Sequence, residues 1–203
     1  MRGVFIAFEG PEGAGKSTQL RLLENRLRAR GTEPLVAKEP GGTPVGERIR
    51  QLVLLPELHI TPLSEFLLYS SSRAQLVESV IEPALSASRL VLCDRFAGAS
   101  VAYQGYGRGL SLTFIDAVTA QTTAGLKPNL TLFLDLEPAA GLARVAQRGY
   151  KDRLERADLE FHRRVYQGFL AQAEADETWW TLDASLGESE LEALVWDAVR
   201  PYL

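Results

Sequence analysis

The sequence has few of the residues that form disulfides or bind metal ions as clusters. Among its 203 residues there is one cysteine, Cys93, and there are two histidines, His59 and His162. A single cysteine cannot form an internal disulfide, and histidines so far apart in the chain lack the spacing of a metal-binding cluster. These shortages exclude a disulfide-stapled domain and a zinc-ligand motif, and they predict a protein of the reducing cytoplasm.

Long apolar runs and an excess of one charge are also missing. No run approaches the roughly 18 residues that cross a bilayer, and the apolar core of residues 1–9 is too short for a signal peptide and is stopped by Glu9. The 22 cationic and 26 acidic residues give a net charge of −4. This balance predicts that the chain binds neither nucleic acid nor membrane surfaces in general, so any site for a polyanion is a local cluster.

Short apolar runs alternate with stretches of helical periodicity along the chain. The runs are residues 4–8, 35–37, 90–93 and 130–134, and a fifth candidate is 179–182. Continuous apolar runs of this length suit strands that are covered on both faces, as in a parallel sheet. The alternation predicts a single α/β domain over residues 1–203, with a five-stranded parallel sheet and helices on both of its faces.

Two stretches fit neither a strand nor a buried helix. Residues 97–109 contain four glycines interleaved with aromatic residues, and residues 147–156 are densely charged around Gly149. Glycine and charge clusters of this kind are typical of loops, so we expect both stretches to be mobile.

Residues 10–17, Gly-Pro-Glu-Gly-Ala-Gly-Lys-Ser, match the phosphate-binding pattern G-x-x-x-x-G-K-[ST] between a predicted strand and a predicted helix. The glycines let backbone N–H groups curl around an anion, and Lys16 adds a positive charge at the β- and γ-phosphates. The Ser17 hydroxyl is a ligand for Mg²⁺. The sequence therefore predicts that the chain binds a nucleoside triphosphate. The residues predicted to contact ATP are Gly10, Glu12, Gly13, Ala14, Gly15, Lys16, Ser17 and Thr18.

The third apolar run is followed by Asp94-Arg95, and this pair indicates which class of phosphate-loop protein the chain belongs to. The guanine-binding pattern N-K-x-D of GTPases is absent, and ATPases usually end this strand with Asp-Glu, in which the glutamate activates water. An arginine after the metal-side aspartate suits a second phosphate instead, because the guanidinium fork matches a phosphate dianion. Phosphoryl transfer to a phosphorylated acceptor is therefore favoured.

Four motifs in order resemble one family. They are residues 10–18, residues 39–43 (Glu-Pro-Gly-Gly-Thr), residues 94–96 (Asp-Arg-Phe) and residues 102–105 (Ala-Tyr-Gln-Gly). Together they look like thymidylate kinase, a P-loop nucleoside monophosphate kinase, and the similarity runs from residue 3 to about residue 185. The resemblance implies a three-layer P-loop kinase fold and ATP-dependent phosphorylation of dTMP to dTDP with Mg²⁺, a step in dTTP synthesis. It also implies a homodimer, for which apolar helix faces such as Ile49/Val53 or Leu63/Leu67/Leu68 are candidates.

The resemblance assigns roles at the phosphate end of the acceptor. Arg95 and Arg50 match contacts to the acceptor phosphate, and Asp94 matches the carboxylate near Mg²⁺. Glu12 matches an acidic residue that faces the 3′-hydroxyl of the acceptor sugar, and Glu39 belongs to a motif of the acceptor side.

The base end is also assigned by resemblance. Tyr69 matches the residue that stacks on thymine, and Arg73, four residues later on the same helix face, matches a contact to a ring carbonyl oxygen. Ser100 and Gln104 match positions near the pyrimidine edge. Tyr103 matches a ring that crowds the ribose 2′ position, which disfavours ribonucleotides.

Residues 147–157 match the lid of the family. Because the phosphate loop contains no arginine, the resemblance to the bacterial type implies that lid arginines supply the charge that stabilises the transferring phosphoryl group. The candidates are Arg148, Arg153 and Arg156, of which the first two are predicted to be catalytic with Lys16, Asp94 and Arg95.

Two alternatives stay open at this point. The chain could be another small P-loop kinase, for UMP/CMP, AMP or an unphosphorylated deoxynucleoside. It could also be a P-loop ATPase or a regulatory nucleotide-binding module without an acceptor site.

Overall fold

A five-stranded parallel sheet forms the centre of the molecule in the computed structural model, which describes residues 2–147, 149 and 152–203. The strand order is β2-β3-β1-β4-β5, and every neighbouring pair is parallel. The strands are β1 (Phe5–Glu9), β2 (Leu35–Lys38), β3 (Val91–Asp94), β4 (Leu130–Asp135) and β5 (Trp179–Asp183). The α/β class and all five predicted strands are confirmed, with ends shifted by about one residue as is usual for such boundaries.

Helices connect the strands and cover both faces of the sheet. They are α1 (Lys16–Arg28), α2 (Pro44–Leu54), α3 (Pro62–Leu76), α4 (Glu82–Ser86), α5 (Ala97–Ser100), α6 (Leu112–Thr122), α7 (Pro138–Ala146), α8 (Leu159–Ala175) and α9 (Glu188–Val199). Proline begins α2, α3 and α7, where its missing N–H costs nothing. Among the described residues, no helix combines the length and the hydropathy needed to cross a bilayer.

The alternation of side chains along β1 explains why its apolar run is continuous. Phe5 and Ala7 belong to a buried cluster on one face of the sheet, and Ile6 and Phe8 belong to a cluster on the other face. Successive residues of a strand point to opposite faces, so in a strand that is covered on both sides apolar residues follow one another without alternation. Burying one such side chain stabilises the fold by about 1.5–3 kcal/mol.

The prediction that residues 97–109 form a mobile loop is wrong. The segment forms α5 and a π-helical stretch, Val101–Gly107, that packs against α8 and buries Tyr103 and Gln104. Glycine is needed there for close packing rather than for flexibility. A Cβ added at Gly107 would lie 2.7 Å from the Phe161 ring, and one added at Gly168 of α8 would lie 2.9 Å from the Ala102 Cα.

The second stretch that was predicted to be mobile lies only partly within the described residues. Residues 152–156 form turns without a helix or strand, whereas Arg148 lies outside the described residues. The mobility of this segment and the catalytic role of Arg148 stay predictions.

A close backbone contact fixes the phosphate loop against α7. A Cβ added at Gly13 would lie 2.2 Å from the Gly141 carbonyl oxygen, and one added at Gly141 would lie 2.1 Å from the Glu12 carbonyl oxygen. Gly13 also has a φ of 72°, which side chains rarely adopt. The loop that follows β1 is therefore held by the start of the helix that follows β4.

Candidate active site

The loops at the carboxyl ends of β1, β2 and β3 surround a cavity of about 720 Å³. In a parallel α/β sheet, ligands bind beyond this edge, where the connections to the helices diverge. The lining includes residues of the phosphate loop, of the segments after β2 and β3, and of α3. The predicted site residues that line it are Glu12, Gly13, Ala14, Gly15, Lys16, Ser17, Thr18, Glu39, Arg50, Tyr69, Arg73, Asp94, Arg95, Ser100, Tyr103 and Gln104.

The phosphate loop curls around the ammonium group of its own lysine. Lys16 is buried, and its Nζ donates hydrogen bonds to the carbonyl oxygens of Gly10 (2.9 Å) and Pro11 (2.7 Å). Burial and the nearby Arg95 lower the pKa of Lys16 to about 8. Gly15, with a φ of 89°, turns the chain into α1, whose N-terminal N–H groups face the loop. The loop therefore presents both a cation and free backbone donors to an anion.

Ser17 and Asp94 bring two oxygen ligands together beside this loop. The Ser17 hydroxyl donates to Asp94 Oδ2 at 2.5 Å, so the start of α1 meets the end of β3. A hydroxyl and a carboxylate are hard oxygen donors, which suit Mg²⁺ when phosphate oxygens and water complete its coordination. In residues 2–147, 149 and 152–203, no group of three or more His, Cys, Asp or Glu side chains forms a self-contained metal site.

Arg95 connects the segment after β3 to the phosphate loop. Its Nη2 donates to Glu12 Oε1 (2.9 Å) and to the Tyr103 hydroxyl oxygen (3.0 Å), and its Nη1 donates to the Gly10 carbonyl oxygen (3.1 Å). The Tyr103 hydroxyl donates to Glu12 Oε1 at 2.6 Å. Burial alone would raise the pKa of Glu12, but Arg95, Lys16 and Tyr103 together lower it to about 2. The Glu12 carboxylate is therefore ionised at neutral pH.

Arg50 on α2 is the second predicted phosphate contact, and it faces the same cavity. Its Nη1 donates to the Pro40 carbonyl oxygen at 3.0 Å, next to the cis peptide bond between Glu39 and Pro40. Arg50 and Arg95 thus approach the cavity from two different elements, as two guanidinium groups around one phosphate would require.

Arg73 on α3 is a fully buried cation at the other end of the cavity. Its Nε and Nη2 donate to Glu39 Oε1, and Nη2 also donates to the Ser100 hydroxyl oxygen at 2.6 Å. Among the described residues nothing accepts a hydrogen bond from its Nη1. Glu39 therefore fixes the orientation of Arg73, and Nη1 is the guanidinium nitrogen that has no acceptor in the described part of the chain.

Tyr69 and Gln104 complete this end of the cavity. Tyr69 packs among buried apolar residues, and burial raises the pKa of its hydroxyl, so the ring is neutral. Gln104 is buried, and its Nε2 donates to Glu65 Oε1 at 2.8 Å. The structure therefore brings together the four residues that the resemblance places around a pyrimidine, which are Tyr69, Arg73, Ser100 and Gln104.

Arg153 lies apart from the phosphate end. Its Nη1 contacts Glu65 Oε2 at 2.7 Å, and its Nε donates to the Val53 carbonyl oxygen at 2.8 Å. It lines a separate cavity with Arg108 and Arg156. A role at a γ-phosphate would require these contacts to break.

Three charged residues of the site do not follow from the sequence patterns above. Glu65 is fully buried one helical turn before Tyr69, a spacing that could have indicated it. Arg144 donates to the Gly13 carbonyl oxygen at 3.4 Å and lines the cavity. Glu9 accepts from the backbone N–H groups of Phe96 and Ala99, and burial raises its pKa to about 7. Glu9 directly follows the apolar run of residues 4–8, a position that could have indicated it.

Comparison with known proteins gives one consistent family. The family model described as "Thymidylate kinase" matches residues 8–195. A thymidylate kinase of Deinococcus radiodurans is 59% identical over 199 residues, which cover 98% of this chain and 97% of the relative. A thymidylate kinase of Synechococcus sp. (strain JA-2-3B'a(2-13)) is 49% identical over 201 residues, and one of Caldanaerobacter subterraneus subsp. tengcongensis is 45% identical over 205 residues.

The low pKa of Glu12 predicts a specific pH dependence of stability. Since its folded-state pKa of about 2 lies below the usual 4.5, its ionised form stabilises the fold fully above pH 4.5, and this contribution is lost as the pH falls towards 2. We expect Glu12→Gln to lower the free energy of unfolding by up to about 3 kcal/mol at pH 7, and by progressively less below pH 4.5. Denaturant unfolding of both proteins at a series of pH values measures this difference.

The matched control is Glu57→Gln, which changes an exposed carboxylate that lies outside the cavity. It is expected to follow the wild-type curve at every pH. A Glu12→Gln deficit that stays constant from pH 7 to pH 2 would contradict the assignment of this ion pair.

Proposed function

The chain belongs to the thymidylate kinase family, and from this premise we propose that it transfers the γ-phosphoryl group of ATP to dTMP, which gives ADP and dTDP for dTTP synthesis. The observation that carries the proposal is a single cavity lined both by the phosphate loop and by Tyr69 and Arg73 of α3. Arg95 lines the same cavity and contacts the phosphate loop at Gly10 and Glu12 and the π-helical stretch at Tyr103. This arrangement suits two nucleotides whose phosphates meet in the middle.

The donor is proposed to bind at residues 10–18. The backbone N–H groups of the loop and the Lys16 ammonium group would hold the β- and γ-phosphates, and they would replace the internal contacts of Lys16 with Gly10 and Pro11. Mg²⁺ would be held by Ser17 and, directly or through water, by Asp94, and when bound it supplies positive charge to the phosphate oxygens.

The acceptor phosphate is proposed to bind Arg95 and Arg50. Arg95 is oriented by Glu12 and Tyr103, so its guanidinium group would lose little entropy when a dianion binds. No general base is needed, because a phosphate monoester is already largely deprotonated at neutral pH. Catalysis then rests on alignment of the attacking oxygen with the γ-phosphorus and on the surrounding cations.

The sugar is proposed to lie against Glu12 and Tyr103. The ionised Glu12 carboxylate could accept a hydrogen bond from the 3′-hydroxyl, and the buried Tyr103 ring would then crowd the 2′ position. This contact would make a 2′-deoxynucleotide the preferred acceptor, since a steric clash discriminates more sharply than a missing contact.

A homodimer is also proposed, with α3 and α6 at its interface. The apolar side chains of Leu63, Leu67, Leu112 and Phe114 are each 40–47% exposed, which is unusual for such large apolar groups on neighbouring elements. By contrast, Val53 is fully buried and packs with Ile49 in the core. The Ile49/Val53 face is therefore not available for contact with a second copy. A second copy that covers the α3–α6 face would bury these residues. We therefore expect Leu67→Glu to sediment as a monomer and the wild type to sediment as a dimer.

A cytoplasmic location is proposed from the chemistry of the only cysteine. Cys93 is free and buried in strand β3, so the fold neither contains nor needs a disulfide.

The acceptor assignment predicts the outcome of a nucleotide panel. With ATP and Mg²⁺, ADP release should be fastest with dTMP, slower by a factor of about 100 or more with UMP, and absent above background without an acceptor. The control is Tyr103→Phe, which keeps the ring and should keep the preference for deoxynucleotides. Equal rates with UMP and dTMP would contradict the 2′ argument, and ATP hydrolysis without an acceptor would favour an ATPase instead.

The lid assignment predicts a loss of turnover without a loss of acceptor binding. If Arg153 leaves Glu65 and reaches the transferring phosphoryl group when the lid closes, Arg153→Ala should lower kcat about tenfold or more and leave the KM for dTMP nearly unchanged. Steady-state kinetics with saturating ATP measure both constants. Arg163→Ala is the control, because this arginine is exposed on α8 and pairs with Glu160. An unchanged kcat in Arg153→Ala would show that Arg153 serves the fold alone.

A further inference from the structure

Glu65 is a buried carboxylate whose three partners come from two other segments of the chain: Gln104 and Arg108 from the π-helical stretch and its end, and Arg153 from the turns after α7. Its side chain is fully buried on α3, and Oε1 accepts from Gln104 Nε2 at 2.8 Å. Oε2 accepts from Arg108 at 3.2 Å and contacts Arg153 Nη1 at 2.7 Å. The two guanidinium groups balance the charge of the carboxylate, so the bond to Gln104 is not needed for charge compensation. The bond between Glu65 and Gln104 instead has a consequence for the geometry of the cavity.

That consequence is the orientation of the Gln104 carboxamide. An ionised carboxylate can only accept hydrogen bonds, whereas a carboxamide has one donor group and one acceptor oxygen. Glu65 therefore fixes the donor, Nε2, on its own side. The acceptor, Oε1, is the remaining polar atom that Gln104 can offer to the cavity that it lines.

A second carboxylate fixes the neighbouring donor. Glu39 holds Arg73 through Nε and Nη2, and the Nη1 group, which has no acceptor among the described residues, is the donor that remains. Ser100 joins the two positions, because its hydroxyl oxygen accepts from Arg73 and it lies one helical turn before Gln104. Two residues that line the cavity, Gln104 and Arg73, thus have an acceptor and a donor to offer, and each is oriented by a buried glutamate.

This pair matches one kind of pyrimidine edge. Thymine presents a donor at N3 and an acceptor at O4, whereas cytosine presents an acceptor at N3 and a donor at N4. An acceptor from Gln104 and a donor from Arg73 pair with the first edge, and both oppose the second. A site that is built to pair one edge leaves buried polar groups unpaired when it meets the other, which discriminates strongly.

We propose that Glu65 is a positioning residue for base selectivity: by holding the Gln104 carboxamide with its oxygen towards the cavity, it makes the enzyme accept a pyrimidine with N3–H and reject one with an unprotonated N3. This inference rests on the proposed function, since it takes dTMP as the acceptor. It assigns the selectivity to a residue that does not touch the substrate.

The test compares dTMP with 5-methyl-dCMP, which keeps the methyl group and the sugar and differs only at the 3,4 edge. In Glu65→Gln the side chain at position 65 can either donate or accept a hydrogen bond. The Gln104 carboxamide is then free to turn either its oxygen or its nitrogen towards the cavity. We expect the ratio of kcat/KM for dTMP to that for 5-methyl-dCMP to fall about tenfold, because one of two mismatches is removed. The loss for dTMP should appear in KM, with kcat nearly unchanged.

Arg108→Gln is the matched control. It removes a cation from Glu65 and a contact with the Phe161 ring, but it leaves the bond between Glu65 and Gln104 in place. We expect it to lower the melting temperature without changing the nucleotide ratio. If Glu65→Gln lowers both efficiencies equally, or if Arg108→Gln changes the ratio as much, then Glu65 serves only the fold and the inference is wrong.

The outcomes separate this inference from the proposed function. A wild-type enzyme that does not prefer dTMP to 5-methyl-dCMP contradicts the acceptor assignment itself, whereas a selective wild type with an equally selective Glu65→Gln contradicts only the role of Glu65. Should Glu65→Gln fail to fold, a crystal structure of the wild type with dTMP decides the question. Gln104 Nε2 should remain within hydrogen-bonding distance of Glu65 with Oε1 towards N3, and a Gln104 that has left Glu65 would overturn the inference.

Discussion

The pairing of Arg95 with Glu12 joins the two halves of the cavity. Arg95 follows β3 and Glu12 follows β1, so the ion pair at 2.9 Å spans neighbouring strands of the sheet and includes the Tyr103 hydroxyl. Arg95 has a φ of 69°, an uncommon value for a residue with a side chain, and its contacts with Gly10, Glu12 and Tyr103 hold it there. Because a cation at this position faces both the phosphate loop and the base end, the proposed transfer between two phosphates depends on it.

The rest of the site follows the same pattern, in which a buried carboxylate fixes a side chain or a backbone segment beside the cavity. Glu39 holds Arg73, Glu65 holds Gln104, and Glu9 holds the backbone of the segment that begins at Phe96. Such buried charged contacts add little net stability, because desolvation offsets most of the attraction. Their value lies in orientation, since a group that is already fixed loses little entropy when the substrate arrives.

The sequence predicts the strands and the phosphate loop well, because both are signalled by contiguous residues. A short apolar run such as residues 4–8 suits a strand that is covered on both faces, and the spacing of Gly10, Gly15 and Lys16 identifies the loop directly. Contacts between distant residues, such as Arg73 with Ser100, were accessible only through resemblance. The segment 97–109 was misjudged because glycine indicates either flexibility or close helix packing, and only the proximity of Phe161 decides between them. Glu65 was missed because its three partners lie far from it in the chain.

A crystal structure with a bisubstrate analogue, in which adenosine and thymidine are joined through five phosphates, tests the central claim most directly. We expect the phosphates on the adenosine side to lie on the backbone N–H groups of residues 10–18, the thymidine-side phosphate to contact Arg95, and the thymine ring to lie between Tyr69, Arg73 and Gln104. An analogue bound with its thymine outside this cavity, or with Arg95 still paired only to Glu12 and remote from every phosphate, would contradict the proposal that the two nucleotides meet at Arg95.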